Sequence, residues 1–121
     1  MENPIKFNTH IAETLLKAPF KFTAKPTKYI AGFSTSTSLQ LALERNRKGN
    51  VYLWVEKHNP GLPGVKIKNA EYLGKPYKAG QPRNSNLNGK NAPRLRVDRK
   101  AWYLEFSDFP SFKAFSDWYK V

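Results

Sequence analysis

From Tyr72 to Val97 the chain has no carboxylate, yet it carries Lys75, Lys78, Arg83, Lys90, Arg94 and Arg96, interleaved with Tyr77, Gln81, Asn84, Asn86, Asn88 and Asn91. Each of these residue types has chemistry to offer a polyanion. Lys and Arg neutralise phosphates, Asn and Gln match the donor and acceptor edge of adenine, Arg matches guanine, and a tyrosine ring stacks on a base. The glycines and prolines of 74–93 let such a loop approach a groove without a helix. We therefore expect Lys75, Lys78, Arg83, Lys90, Arg94 and Arg96 at phosphates, Asn84, Asn86 and Asn88 at base edges, and Tyr77 as a stacking residue. The competing description is a solvated loop whose asparagines form local turns.

The charge of the whole chain points the same way. Its 121 residues include 21 Lys+Arg against 9 Asp+Glu, a net charge of +12 at pH 7, and nucleic acid is the commonest partner for such a balance. The aromatic signature of an RNA-recognition motif, a Gly-x-x-Gly clamp and a helix-turn-helix pair are all absent from the sequence, so a loop-and-sheet reader is expected, with duplex DNA favoured over RNA. Tyr52, Trp54, Trp102 and Tyr103 alternate along strands, so one of each pair is available to an exposed sheet face. The expected function is a non-enzymatic DNA-binding domain that reads a sequence or a base modification. Compact readers of this type serve restriction, defence and phage systems, which sets the expected context.

Several chemistries are excluded or unsupported. The chain has no cysteine, so disulfides, thiolate metal sites and cysteine nucleophiles are impossible, and His10 and His58 are too few for a histidine-rich metal site. The carboxylates come singly, with only Glu105 and Asp108 close together, and no phosphate-binding glycine loop or nucleophile elbow appears. No cofactor and no metal are expected.

Two alternatives remain. Val51-Tyr52-Leu53 followed by Tyr72-Leu73-Gly74-Lys75 resembles the paired signature of GIY-YIG nucleases. The resemblance implies a metal-dependent nuclease built on Tyr52, Tyr72, Arg83 and Glu105; it covers about a fifth of the chain, and the first motif lacks its Gly-Ile. The other alternative is a basic inhibitor or adaptor that grips an acidic protein.

These residues need a scaffold, and hydrophobic periodicity supplies its outline. Ile11, Leu15 and Leu16 fall on one face of a helix over 8–18 that Pro19 ends. Two short strands follow over 20–33. The hydroxyl run Ser34-Thr35-Ser36-Thr37-Ser38, with Thr37 and Gln40 spaced as a capping box, predicts a helix over 39–48 closed by Arg45, Arg47, Lys48 and Gly49. The same hydroxyls could alternatively touch phosphates.

Residues 50–56 read as a strand, and 65–68 as a second one beside it. Residues 94–97 and 101–106 read as a hairpin, and 109–119 as a terminal helix with Pro110 in its first turn and Phe112, Phe115, Trp118 and Tyr119 on one stripe. The sum is one α+β domain over 1–121. It has a small antiparallel or mixed sheet of about five to six strands, two to three short helices packed on it, and a long basic loop at 74–93. No apolar run approaches the roughly 20 residues of a membrane span, and Met1-Glu2-Asn3-Pro4 does not open a secretory signal. A cytoplasmic protein is expected, nucleoid-associated in a bacterium.

Overall fold

The computed structural model describes residues 7–59, 61–68, 77–81, 83–84 and 86–120. It is α+β. Six antiparallel strands, β1 (Lys21–Phe22), β2 (Ile30–Ser34), β3 (Gln40–Glu44), β4 (Val51–Val55), β5 (Val65–Lys68) and β6 (Trp102–Phe106), form one sheet in the order β1-β2-β3-β4-β6-β5. Two helices, α1 (Thr9–Leu16) and α2 (Phe109–Tyr119), complete the regular structure. Among the described residues, no helix is long and apolar enough to cross a membrane.

Period-two alternation divides the sheet into two faces. Ala31, Phe33, Leu41, Leu43, Val51, Leu53, Val55, Leu104 and Phe106 face the helices and bury against Ala12, Leu16, Phe112, Phe115 and Tyr119. Asn8 caps α1 by accepting from the Ile11 amide at 2.9 Å, and Asp108 caps α2 by accepting from the Ser111 amide at 2.8 Å. Tyr119 then pins α2 to the sheet: its hydroxyl donates to the Gln40 carbonyl at 2.5 Å and accepts from the Glu56 amide at 3.0 Å.

Residues 39–48 are not the third helix that their caps and terminal cations predict. Their apolar residues, Leu39, Leu41 and Leu43, recur every second position, and a central strand buried on both faces satisfies that period better than an amphipathic helix does. The hydroxyl run instead makes the β2–β3 turn, in which Thr35 Oγ1 accepts from the amides of Thr37 at 3.2 Å and Leu39 at 3.0 Å. The cations fold back onto carboxylates, with Arg45 Nε 2.8 Å from Glu13 and Arg47 Nε 2.8 Å from Glu44.

Two further expectations change. The 94–97 half of the predicted hairpin forms turns, because Arg94 and Leu95 are drawn onto other strands rather than along β6. And β5 lies against β6, not β4, since β6 already occupies that edge of β4.

Candidate nucleic-acid interface

The second face of the sheet carries Ile30, Ala42, Trp54 and Tyr103, and the segment that follows Tyr77 lies across it, burying Leu87, Ala92, Leu95 and Ala101 against these side chains. A reciprocal backbone pair joins its ends: the Tyr77 amide donates to the Ala101 carbonyl at 2.7 Å, and the Ala101 amide donates back at 3.0 Å. At Gly32 the crossing is so close that any Cβ would collide with the Asn91 carbonyl, so only glycine permits it. The described part of 74–93 is therefore a packed cover on the sheet. It is not a solvated loop.

Beside this cover lies a cleft of about 370 Å³ lined by Glu44, Arg47, Trp54, Tyr77, Arg83, Asn84 and Tyr103. Strand register brings the set together: Trp54 pairs with Ala42 on one side and Tyr103 on the other, and their rings stack at 4.1 Å. Glu44, at 3% exposure, accepts from Arg47 Nε (2.8 Å) and the Tyr103 hydroxyl (2.6 Å) on Oε1, and from Trp54 Nε1 (3.0 Å) and Asn84 Nδ2 (2.6 Å) on Oε2. Burial pushes its carboxyl upward, but the bonds from Tyr103, Arg47, Asn84 and Trp54 together outweigh it and hold the group below the usual carboxylate range. Burial, reinforced by Glu44, pushes the Tyr103 hydroxyl well above the usual tyrosine range.

A second carboxylate extends the row. Glu105 accepts from Asn50 Nδ2 at 2.6 Å and the Tyr52 hydroxyl at 3.1 Å, with Lys68 Nζ 3.5 Å away. Arg47 lies over the Tyr52 ring at 4.3 Å.

The sequence-predicted residues separate by location. Lys78, Lys90 and Arg96 are exposed. Tyr77, Arg83 and Asn84 line the cleft, where Tyr77 packs edge-on to Trp54 at 4.9 Å and so uses its ring inside the protein. Arg94 joins the cover to the sheet, its Nε 2.8 Å from Glu56 Oε1 and its amide donating to Gln40 Oε1 at 3.0 Å. Asn86 and Asn88 serve the turns of the cover: Asn88 Oδ1 accepts from the Lys90 and Asn91 amides, each at 2.8 Å, and the Asn86 carbonyl accepts from Asn91 Nδ2 at 3.1 Å. Lys75 lies outside the described residues.

Of the four positions in the nuclease resemblance, Tyr72 also lies outside the described residues, and Tyr52 and Glu105 bond to each other. Arg83 instead lies over Trp54 and Tyr77. Among the described residues no three His, Asp or Glu side chains gather as a metal site. Among the stacking candidates, Tyr52, Trp54 and Tyr103 share the covered face, while Trp102 packs on the helix side with Lys100 Nζ 5.8 Å from its ring.

Sequence reasoning missed Glu44 and Arg47 altogether. The only signal was a carboxylate ending an alternating strand, whose meaning depends on which face is buried. No protein-family model, no curated protein and no solved structure matches this chain.

Proposed function

We propose that the chain is a non-enzymatic DNA-binding domain whose contact surface is the cover over 77–101 and the cleft beside it. One observation carries the reading: among the described residues most carboxylates are engaged within the fold, while most cations of the cover, Arg94 excepted, are not. Glu13, Glu44, Glu56, Glu105 and Asp117 each pair with a cation, and Asp108 caps α2. Lys78, Lys90, Arg96, Arg99 and Lys100 are exposed and have no carboxylate partner among the described residues, although Asp98, also exposed, lies between two of them in sequence. A positive surface on a rigid support suits phosphate neutralisation, which contributes most of the affinity for nucleic acid. The cleft next to it supplies the polar and aromatic groups that reading a sequence or a modified base requires.

Fluorescence anisotropy with duplex DNA, single-stranded DNA and duplex RNA of equal length, across a salt series with and without magnesium, tests the proposal. Duplex binding whose log affinity falls linearly with log salt, with the probe intact, is the expected result. Weak and equal binding to all three polymers overturns it in favour of an acidic protein partner. Cleavage that requires magnesium overturns it in favour of the nuclease reading.

A further inference from the structure

Arg83 lines the cleft with no carboxylate within ion-pair distance among the described residues; Asp98 acts on it only from farther away. Its Nε, Nη1 and Nη2 donate to the carbonyls of Gln81 (3.5 Å), Leu95 (3.2 Å) and Lys78 (2.9 Å), and its guanidinium carbon lies 5.6 Å from the Tyr77 ring centre and 5.8 Å from that of Trp54. A guanidinium has five N–H donors, so this framework fixes the plane and leaves two donors without a partner among the described residues. No carboxylate among the described residues pairs with it. Glu44, which lines the same cleft, already has two donors on each oxygen. Burial disfavours the charge of Arg83, yet a guanidinium does not lose its proton in a protein. Arg47 and Arg94, by contrast, each have a carboxylate at 2.8 Å. Among the described residues the Tyr77 hydroxyl makes no hydrogen bond, which offers a second donor in the cleft.

We infer that the cleft is a phosphate-ester subsite, in which the free N–H groups of Arg83 and the hydroxyl of Tyr77 bind the phosphoryl oxygens. The inference rests on the nucleic-acid reading for the polymer that carries the phosphate. It also changes the role of Tyr77, whose ring is already packed on Trp54 and whose hydroxyl is the part left for a ligand. A fixed guanidinium plane suits the forked geometry of phosphate better than a mobile lysine does. Arg83 is half-buried and has no contact ion pair among the described residues, so a phosphate bound there would add the close anion that it lacks.

The test uses the full chain and two kinds of probe. Arginine Nε–H resonances are followed by NMR during titration with inorganic phosphate, with a deoxynucleoside 5′-monophosphate, and with acetate as the non-phosphate anion. The Arg83 signal should shift with both phosphates and not with acetate. Arg83→Gln should weaken phosphate binding about tenfold, the loss of a charge-assisted bond, whereas Lys113→Gln, on α2 at the helix side of the sheet, should leave it unchanged. Tyr77→Phe, which keeps the ring packing and removes only the hydroxyl, should weaken it severalfold. In DNA titrations Arg83→Gln should lower the salt slope by about one.

An equal response to acetate overturns the inference, as does a phosphate response confined to exposed cations such as Arg96. It also fails if Arg83→Gln lowers the melting temperature while Tyr77→Phe binds phosphate like the parent chain, the signature of a residue that only clamps carbonyls. The two proposals fail separately. A phosphate-responsive Arg83 in a protein that binds no polymer keeps the subsite for free nucleotides and removes the DNA reading; tight DNA binding with an unchanged salt slope in both variants removes the subsite alone.

Discussion

A nearly buried carboxylate persists only where donors replace its water, and Glu44 has four of them, from Arg47, Trp54, Asn84 and Tyr103. Glu44→Leu would strand these donors in a cleft wall. Because Arg47 remains partly solvated, we expect a loss of about 3 kcal/mol, read as a lower urea midpoint with unchanged m. Since its folded value lies below the ordinary 4.5, the unfolded chain binds more protons between the two values. The stabilisation is therefore complete above about pH 4.5 and is lost as pH falls through the folded value.

His58 titrates in a higher window. Burial holds it below the ordinary 6.5, its buried Nδ1 has no hydrogen-bond partner among the described residues, and its ring packs on Trp102 and Phe115. Protonation is easier in the unfolded chain, so stability should fall as pH drops below about 6.5 until the folded value is passed. Urea midpoints measured between about pH 5 and 7.5 should show this slope in the parent chain and a flatter one in His58→Phe.

At the scale of elements, the decisive feature is that the segment from Tyr77 to Ala101 has little regular secondary structure among its described residues and yet buries apolar anchors against the sheet. Its anchors are Leu87, Ala92 and Leu95, of which Leu95 is fully buried. Leu95→Ala should cost about 2–3 kcal/mol, whereas the same change in a solvated loop costs almost nothing. Gly32→Ala tests the contact from the sheet side, because the added methyl group strikes the Asn91 carbonyl; overpacking of this kind costs about 1–3 kcal/mol. If both variants keep the parent's urea midpoint, the segment does not cover the sheet. This docking also explains why hydrophobic periodicity disappears after Tyr77: three isolated apolar anchors separated by asparagine turns have neither the helical period nor the strand period.

At the scale of the whole molecule, charge and packing divide the surfaces between them. One sheet face is closed by α1 and α2 and the other by the cover, so exposed cations such as Lys78, Lys90 and Arg96 stand on a supported layer. Replacing Lys90 and Arg96 together by Gln should leave the thermal midpoint nearly unchanged, weaken binding similarly across DNA sequences and reduce the salt slope by about two. A sequence-dependent loss would mean that one of them contacts base edges instead.

The sequence by itself determined what depends on short-range pattern and composition: the α+β class, α1 and α2, the strands at 51–55 and 102–106, and the net charge of +12. Tertiary structure decided the rest, because those features depend on partners distant in the chain. Gln40–Glu44 is a strand because β2 and β4 flank it, which overrides its helix-like ends. β5 joins β6 because that edge is the one left open. Glu44, Arg47 and Tyr103 meet only through strand register, and Arg83 comes to lie over Trp54 only when the cover docks. Pairing over tens of residues leaves no local period in the sequence, so neither the cleft nor the placement of Arg83 in it was legible before the chain was folded.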